Sequence, residues 1–236
     1  MKQMKNFKFG LVAASVIAAL TLSVSSCSTD NGTYLQPNPN AIVTIKTAES
    51  GNSYFQLDEK TTLDPVNWKN PYKREVRAFL RYSEEPGDAG VFSKKVKVDW
   101  IDSVRTKNAQ LYDEEFAAKK NDGLSLYNDW FIGCEDGYLT LHFAAWFGGG
   151  RNIPHIIELA VNPETRDLYL RHDDNGDNIG PMVPGEGVIS FRLDEILKDA
   201  KAGDKLTLHW KDLGDADGVV GTAELKYSPR FSLSEK

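Results

Sequence analysis

Cysteine is almost missing from this chain. Its 236 residues include two, Cys27 and Cys134, so it is not a disulfide-stapled scaffold. Long apolar runs are missing too: the one near the start, Gly10 to Leu22, falls short of the roughly 20 residues that span a bilayer. Positive charge is not in excess, with 28 Lys and Arg against 34 Asp and Glu, and the lysines lie scattered among acids. That pattern excludes the basic stripe that nucleic-acid binding needs. No G-x-S-x-G elbow, H-E-x-x-H pair, Walker loop or strand-then-helix G-x-G-x-x-G occurs. What is present, 41% hydrophobic and 11% aromatic residues, suffices for a packed core and excludes a disordered tail.

The first 27 residues carry the most specific signal. Lys2, Lys5 and Lys8 precede the apolar segment, and Val24-Ser25-Ser26-Cys27 closes it. A basic start, a short apolar core and small residues at the cut make a secretory signal. With the cysteine at the cut itself, the run resembles the bacterial lipobox, whose thiol carries diacylglycerol. Each buried methylene contributes about 0.8 kcal/mol, so several acyl chains hold a protein firmly to a bilayer. The expectation is a signal peptide over 1–26, lipid attachment at Cys27 and a cell-envelope location, with the outer membrane as the expected site. Cleavage leaves 210 of the 236 residues, and losing three lysines and no acid takes the formal charge from −6 to −9. Cys134 then has no internal disulfide partner and is read as a small buried thiol. Residues 27–40, rich in Ser, Asn, Pro and Gly, are read as a flexible tether.

From Ala41 onward apolar residues recur with period two, which predicts strands over 41–47, 53–57, 74–82 and 95–104. Residues 107–122 are polar and break the pattern, as a short helix or an irregular connector; they are expected to end a first β domain over 41–122. Strands are predicted again over 126–132, 137–147, 153–161, 166–172, 187–193, 204–210 and 218–227, with one helical turn or two at 194–200. Seven short strands suggest an antiparallel β-sandwich over 123–236. In 137–147 the alternation places Leu139, Leu141, Phe143 and Phe147 on the core face and Tyr138, Thr140, His142 and Trp146 on the other. Leu168 and Leu170 likewise oppose Tyr169 and Arg171, and Leu206, Leu208 and Trp210 oppose Thr207 and His209.

The lipobox, the segment YFQLDEKTTLDP, then YNDWFIGCEDGYLTLHF, PHIIELAVNPETRDLYLRHDDNGD and GVISFRLDEIL together resemble the NigD-like lipoproteins of Gram-negative anaerobes. The sharpest landmarks are Trp130-Phe131-Ile132-Gly133, the Tyr138–Phe143 strand, Arg171-His172 and Ser190-Phe191-Arg192-Leu193. The resemblance covers nearly the whole mature chain. It implies an all-β protein, a small OB-like barrel followed by a β-sandwich. The family takes its name from a bacteriocin gene cluster, and its biochemical activity is not established.

Chemistry-bearing candidates are few. His142, His155, His172 and His209 are not expected to converge as zinc ligands must, so no metal or cofactor is expected. Asp173-Asp174-Asn175-Gly176-Asp177-Asn178 alternates like a calcium loop but puts Asn178 where an EF-hand needs Gly and Pro184 where it needs Glu. It is read as a tight hairpin loop. Gly148-Gly149-Gly150-Arg151 lacks the following helix that a phosphate site requires. Binding is the remaining option. Tyr138, His142 and Trp146, with Tyr169 and Arg171 nearby, either form an exposed aromatic face for a protein or glycan partner or pack against the first domain or a long loop. The expectation is therefore a non-catalytic binding lipoprotein. The alternatives are an envelope glycan hydrolase with paired carboxylates and a purely structural component.

Overall fold

The computed structural model describes residues 38–148, 153–213 and 220–233. The expected signal peptide, Cys27 and nearly all of the expected tether lie outside the described residues, as do Gly149–Asn152 and most of the 212–218 loop. Among the described residues no helix is long and apolar enough to cross a membrane.

The first domain is a closed barrel of five strands, β1 (Ala41–Thr47), β2 (Ser53–Gln56), β3 (Thr62–Pro65), β4 (Val76–Glu85) and β5 (Lys94–Ser103), in the order β1-β2-β3-β5-β4. Closure removes sheet edges. Alternate side chains point inward, and Val43, Ile45, Phe55, Leu63, Leu80 and Val96 fill the interior. Strand β3 pairs parallel to β5, and its four residues are too few to show a period in the sequence.

The second domain is a sandwich of two sheets. One holds β6 (Arg105–Asn108), β13 (Met182–Arg192), β10 (Tyr138–Gly148) and β8 (Ser125–Leu126) in that order, with β9 (Gly133–Glu135) also pairing β10. The other runs β15 (Val220–Lys226), β14 (Lys205–Lys211), β12 (Asp167–Asp173), β11 (Ile156–Asn162) and β7 (Gln110–Leu111). Between them lie Leu139, Leu141, Leu159, Val161, Leu168, Leu170, Ile189, Phe191, Leu206 and Leu208, all buried. The faces read from the period-two pattern hold on β10, β12 and β14. Two aromatics of this core lie across glycines of the neighbouring strand. A Cβ on Gly185 would sit 2.7 Å from the Phe147 ring, and one on Gly187 would sit 3.0 Å from Phe143. Each ring occupies the space a side chain would take.

Four expectations change. Residues 105–122 do not end the barrel domain. Strand β6 pairs parallel with β13, β7 pairs parallel with β11, and helix α1 (Glu114–Ala118), capped by Asp113, buries Phe116 against the second sheet. The boundary falls at residue 104. Their polarity misled because these are short edge strands, which expose most of their side chains. Residues 127–132 are a loop rather than strand, and 194–200 is a succession of turns. The 173–178 loop is not a hairpin: it carries the chain from β12 in one sheet to β13 in the other. Its tolerance of positive φ is used, at Asn175 (54°) and Gly176 (81°). Asp136 (53°) and Gly137 (79°) form the two-residue turn from β9 to β10, as Asp-Gly pairs favour.

Candidate functional site

The outward face of β10 runs from the barrel to open solvent, and its two ends differ. At the barrel end Tyr138 is 3% exposed. Its hydroxyl donates to Glu75 Oε1 at 2.6 Å, and the Arg77 guanidinium lies 5.7 Å from its ring centre. Burial and the adjacent Glu75 carboxylate push its phenol well above the usual range. Arg230 also clasps Glu75, so the C-terminal segment closes this end. Next along, Thr140 and Ser190 share a buried hydrogen bond of 2.8 Å. Arg77 donates to Thr44 Oγ1 at 3.0 Å and to Glu135 at 3.4 Å, and its Nε has no hydrogen-bond partner. Burial raises the Glu135 carboxyl, an effect that Arg77 opposes.

Halfway along, the face opens. His142 bonds Asp129 Oδ2 through Nδ1 at 2.6 Å, and its Nε2 lies 3.8 Å from Glu186. Tyr127 stacks on the His142 ring at 4.2 Å, and Phe131 meets it edge-on at 5.3 Å. Trp130 packs on Phe131 at 4.2 Å, and Phe131 reaches Phe79 of the barrel at 5.5 Å. Trp130 is 55% exposed and Trp146, at the far end of β10, 45%. Trp146 lies opposite Pro184 of β13, with Met182 and Val183 also exposed. A cavity of about 190 Å³ at the foot of this platform is lined by Trp130, Phe131, Arg77 and Glu135.

The two readings of the face therefore apply to different ends of one strand: Tyr138 packs against the barrel, and Trp146 is exposed. Tyr169 and Arg171 are not part of it. They lie on the outer face of the other sheet, with the sandwich core between. Tyr169 stacks on Tyr112 at 3.9 Å and on His209 at 5.1 Å. Arg171 is buried, donating to Glu158 and to the Lys120 carbonyl, with Phe116 beside it. Parity places a residue on a face of its own sheet; it does not say which of two sheets the strand joins. Tyr127, Asp129, Trp130, Phe131 and Glu186 complete the platform and were not predicted as site residues. Trp130-Phe131 was visible as a landmark, but only the loop beyond β8 brings it over His142.

The other candidates resolve as follows. Burial pushes the Cys134 thiol up to about 12, so the free thiol stays protonated at neutral pH. His155 and His172, expected to stay apart, pair with each other at 2.8 Å. Asp122, Asp173 and Asp174 draw together as three cation ligands would. The Lys120 ammonium already sits among them, 2.7 Å from Asp122 and 2.5 Å from Asp174.

Two family models divide the described chain where the structure does. The NigD-like N-terminal OB domain matches residues 42–104, and the NigD-like C-terminal β-sandwich domain matches 104–227. The chain belongs to the NigD-like family. Solved structures agree on the fold. A protein of unknown function from Bacteroides vulgatus is 22% identical with a TM-score of 0.60, over 81% of this chain and 94% of that one. A NigD-like immunity protein from Bacteroides caccae is 18% identical with a TM-score of 0.54, over 80% and 96%. A Bacteroides fragilis protein provisionally described as a lipoprotein is 14% identical with a TM-score of 0.58, over 80% and 97%. At these identities the likeness is one of fold. No curated protein matches.

Proposed function

We propose that this NigD-like protein is a lipid-anchored envelope protein that binds a partner and performs no catalytic step. The observation that carries the reading is the open half of the β10 face, where Trp130 and Trp146 remain exposed beside a preassembled Tyr127–His142–Asp129 cluster. Aromatic residues with a polar handle are what binding surfaces enrich, and contiguous exposed apolar patches mark interaction sites. The lipobox ending at Cys27 supports the anchor, and so does the lipoprotein description of one structural neighbour. The immunity description of another fits a role in binding rather than turnover.

The hydrolase alternative is less well supported on this face. Its two carboxylates, Asp129 and Glu186, stand on either side of the His142 ring, which fills the space a glycosidic oxygen would need.

Two experiments test the proposal. Cys27→Ser is expected to yield uncleaved or soluble protein that leaves the detergent phase; membrane retention would refute the anchor. For binding, benzoylphenylalanine placed at Trp146 is expected to give a discrete photo-adduct in intact envelopes. The same probe at Glu114, exposed on the opposite sheet's side, gives none. If the two positions give the same adducts, or none, the platform is not a binding site.

A further inference from the structure

The platform's charge is one-sided. Residues 124–148, which supply β8 to β10 and the intervening loop, contain no Lys or Arg, and neither do residues 173–191. The whole chain has 28 such residues. Its carboxylates are Glu186, about two-thirds exposed, Asp129, about one-third exposed on the other side of His142, and Glu135 at the foot, about half exposed. Arg77, which lines the cavity at the platform's foot, is buried and tied to Thr44 and Glu135, so it adds no exposed positive charge. Aromatic faces carry negative quadrupoles that attract an ammonium or guanidinium within about 6 Å. Two carboxylates flanking such faces add a Coulomb attraction of the same sign.

Resting on the binding role proposed above, the geometry points to a cationic polypeptide segment as the occupant of this platform. A lysine or arginine side chain of the partner lies over Tyr127 or Trp130, its charged head reaching Glu186 at the rim with Asp129 beyond the His142 ring, while Trp146 covers the flanking apolar residues. A neutral glycan would use the rings but would gain nothing from the absence of basic residues. An acidic partner would be repelled.

Hexalysine peptide is the probe, with hexaglutamate and a neutral mannan oligosaccharide beside it, titrated against the mature protein by fluorescence and by NMR of the tryptophan indoles. Saturable binding of hexalysine that weakens with added salt is expected, with the Trp130 and Trp146 signals moving. The Asp129→Asn, Glu186→Gln double variant is expected to bind about tenfold more weakly, from two screened charge contacts, and Glu186→Gln alone is expected to weaken binding at an unchanged melting temperature. Glu114→Gln, Glu115→Gln removes the same charge from the opposite side and should bind as the parent does, which separates a site from the general attraction of an acidic protein. Trp130→Leu keeps the platform apolar and should still weaken binding. Equal binding by the platform and control double variants overturns the inference, as does a preference for mannan or hexaglutamate. A specific adduct at position 146 on a glycan or an acidic protein would leave the binding role standing while removing this choice of partner.

Discussion

His155 Nδ1 lies 2.8 Å from His172 Nε2 in the interior of the sandwich domain, and the proton count of this pair is constrained at both ends. His172 Nδ1 faces the Gly123 carbonyl at 2.5 Å, which can only accept, so that nitrogen carries hydrogen. With His172 neutral, its Nε2 accepts from His155 Nδ1–H. The remaining His155 nitrogen then faces Asp177 Oδ2 at 3.3 Å, an oxygen that also takes the Gly148 N–H at 2.8 Å. The network ties the 173–178 crossover to the end of β10 and to the segment entering β8.

That arrangement predicts a pH dependence. Burial holds the His172 imidazole below its ordinary value of 6.5, despite the Gly123 hydrogen bond. The folded protein therefore keeps this ring neutral where the unfolded chain takes up a proton. Its contribution to stability is complete above the ordinary value and is lost as pH falls below it. Urea midpoints measured from pH 7 to 5 should fall, and His172→Gln, which keeps a donor and an acceptor but does not titrate, should flatten the slope. An unchanged slope in that variant would exclude His172 as the source.

The barrel and the sandwich are joined by a second buried ionic contact. Lys46 of β1 reaches Asp136 Oδ1 at 2.6 Å and the Phe231 carbonyl at 2.5 Å, while the Phe231 N–H donates to the same carboxylate at 2.7 Å. Removing one partner leaves a buried charge uncompensated, so Lys46→Met should cost about 3–5 kcal/mol. Chemical denaturation checks this. The C-terminal segment should also become accessible to carboxypeptidase, since two of its ties depend on this cluster. A loss under 1 kcal/mol would mean that water already solvates the pair.

Limited proteolysis tests the revised domain boundary. Arg105 and Lys107 sit in β6, hydrogen-bonded along β13, so trypsin should spare both while the protein remains folded. A primary cut there would show the edge strand opening independently of the sandwich.

How much of this was legible in the sequence depends on whether the information was local. The β10 alternation was, because period two assigns each side chain a face wherever one face is buried. The separation of Tyr169 and Arg171 from Tyr138 was not, since sheet membership is set by long-range pairing. The meeting of His155 with His172 was hidden for the same reason: β11 pairs with β12, bringing a residue just before one strand to the end of the other. Trp130 and Phe131 were conspicuous, but a loop's course over a sheet has no period to read. The barrel was accessible only through family resemblance, because strands as short as β3 carry too few residues for a pattern.

The contrast along β10 gives the last prediction. Tyr138→Ala removes a buried ring and its hydrogen bond to Glu75, and should cost about 3–5 kcal/mol through lost burial and a cavity at the junction with the barrel. Tyr138→Phe keeps the ring and should cost only about 1 kcal/mol for the lost bond. Trp146→Ala, eight residues along the same face, removes a side chain whose residue is 45% exposed. It should change stability by less than about 1 kcal/mol. Melting temperatures of the three variants order these effects in one experiment. If Trp146→Ala proved as damaging as Tyr138→Ala, the open end of the face would be as much a packing surface as the closed one, and the binding platform would have to be abandoned.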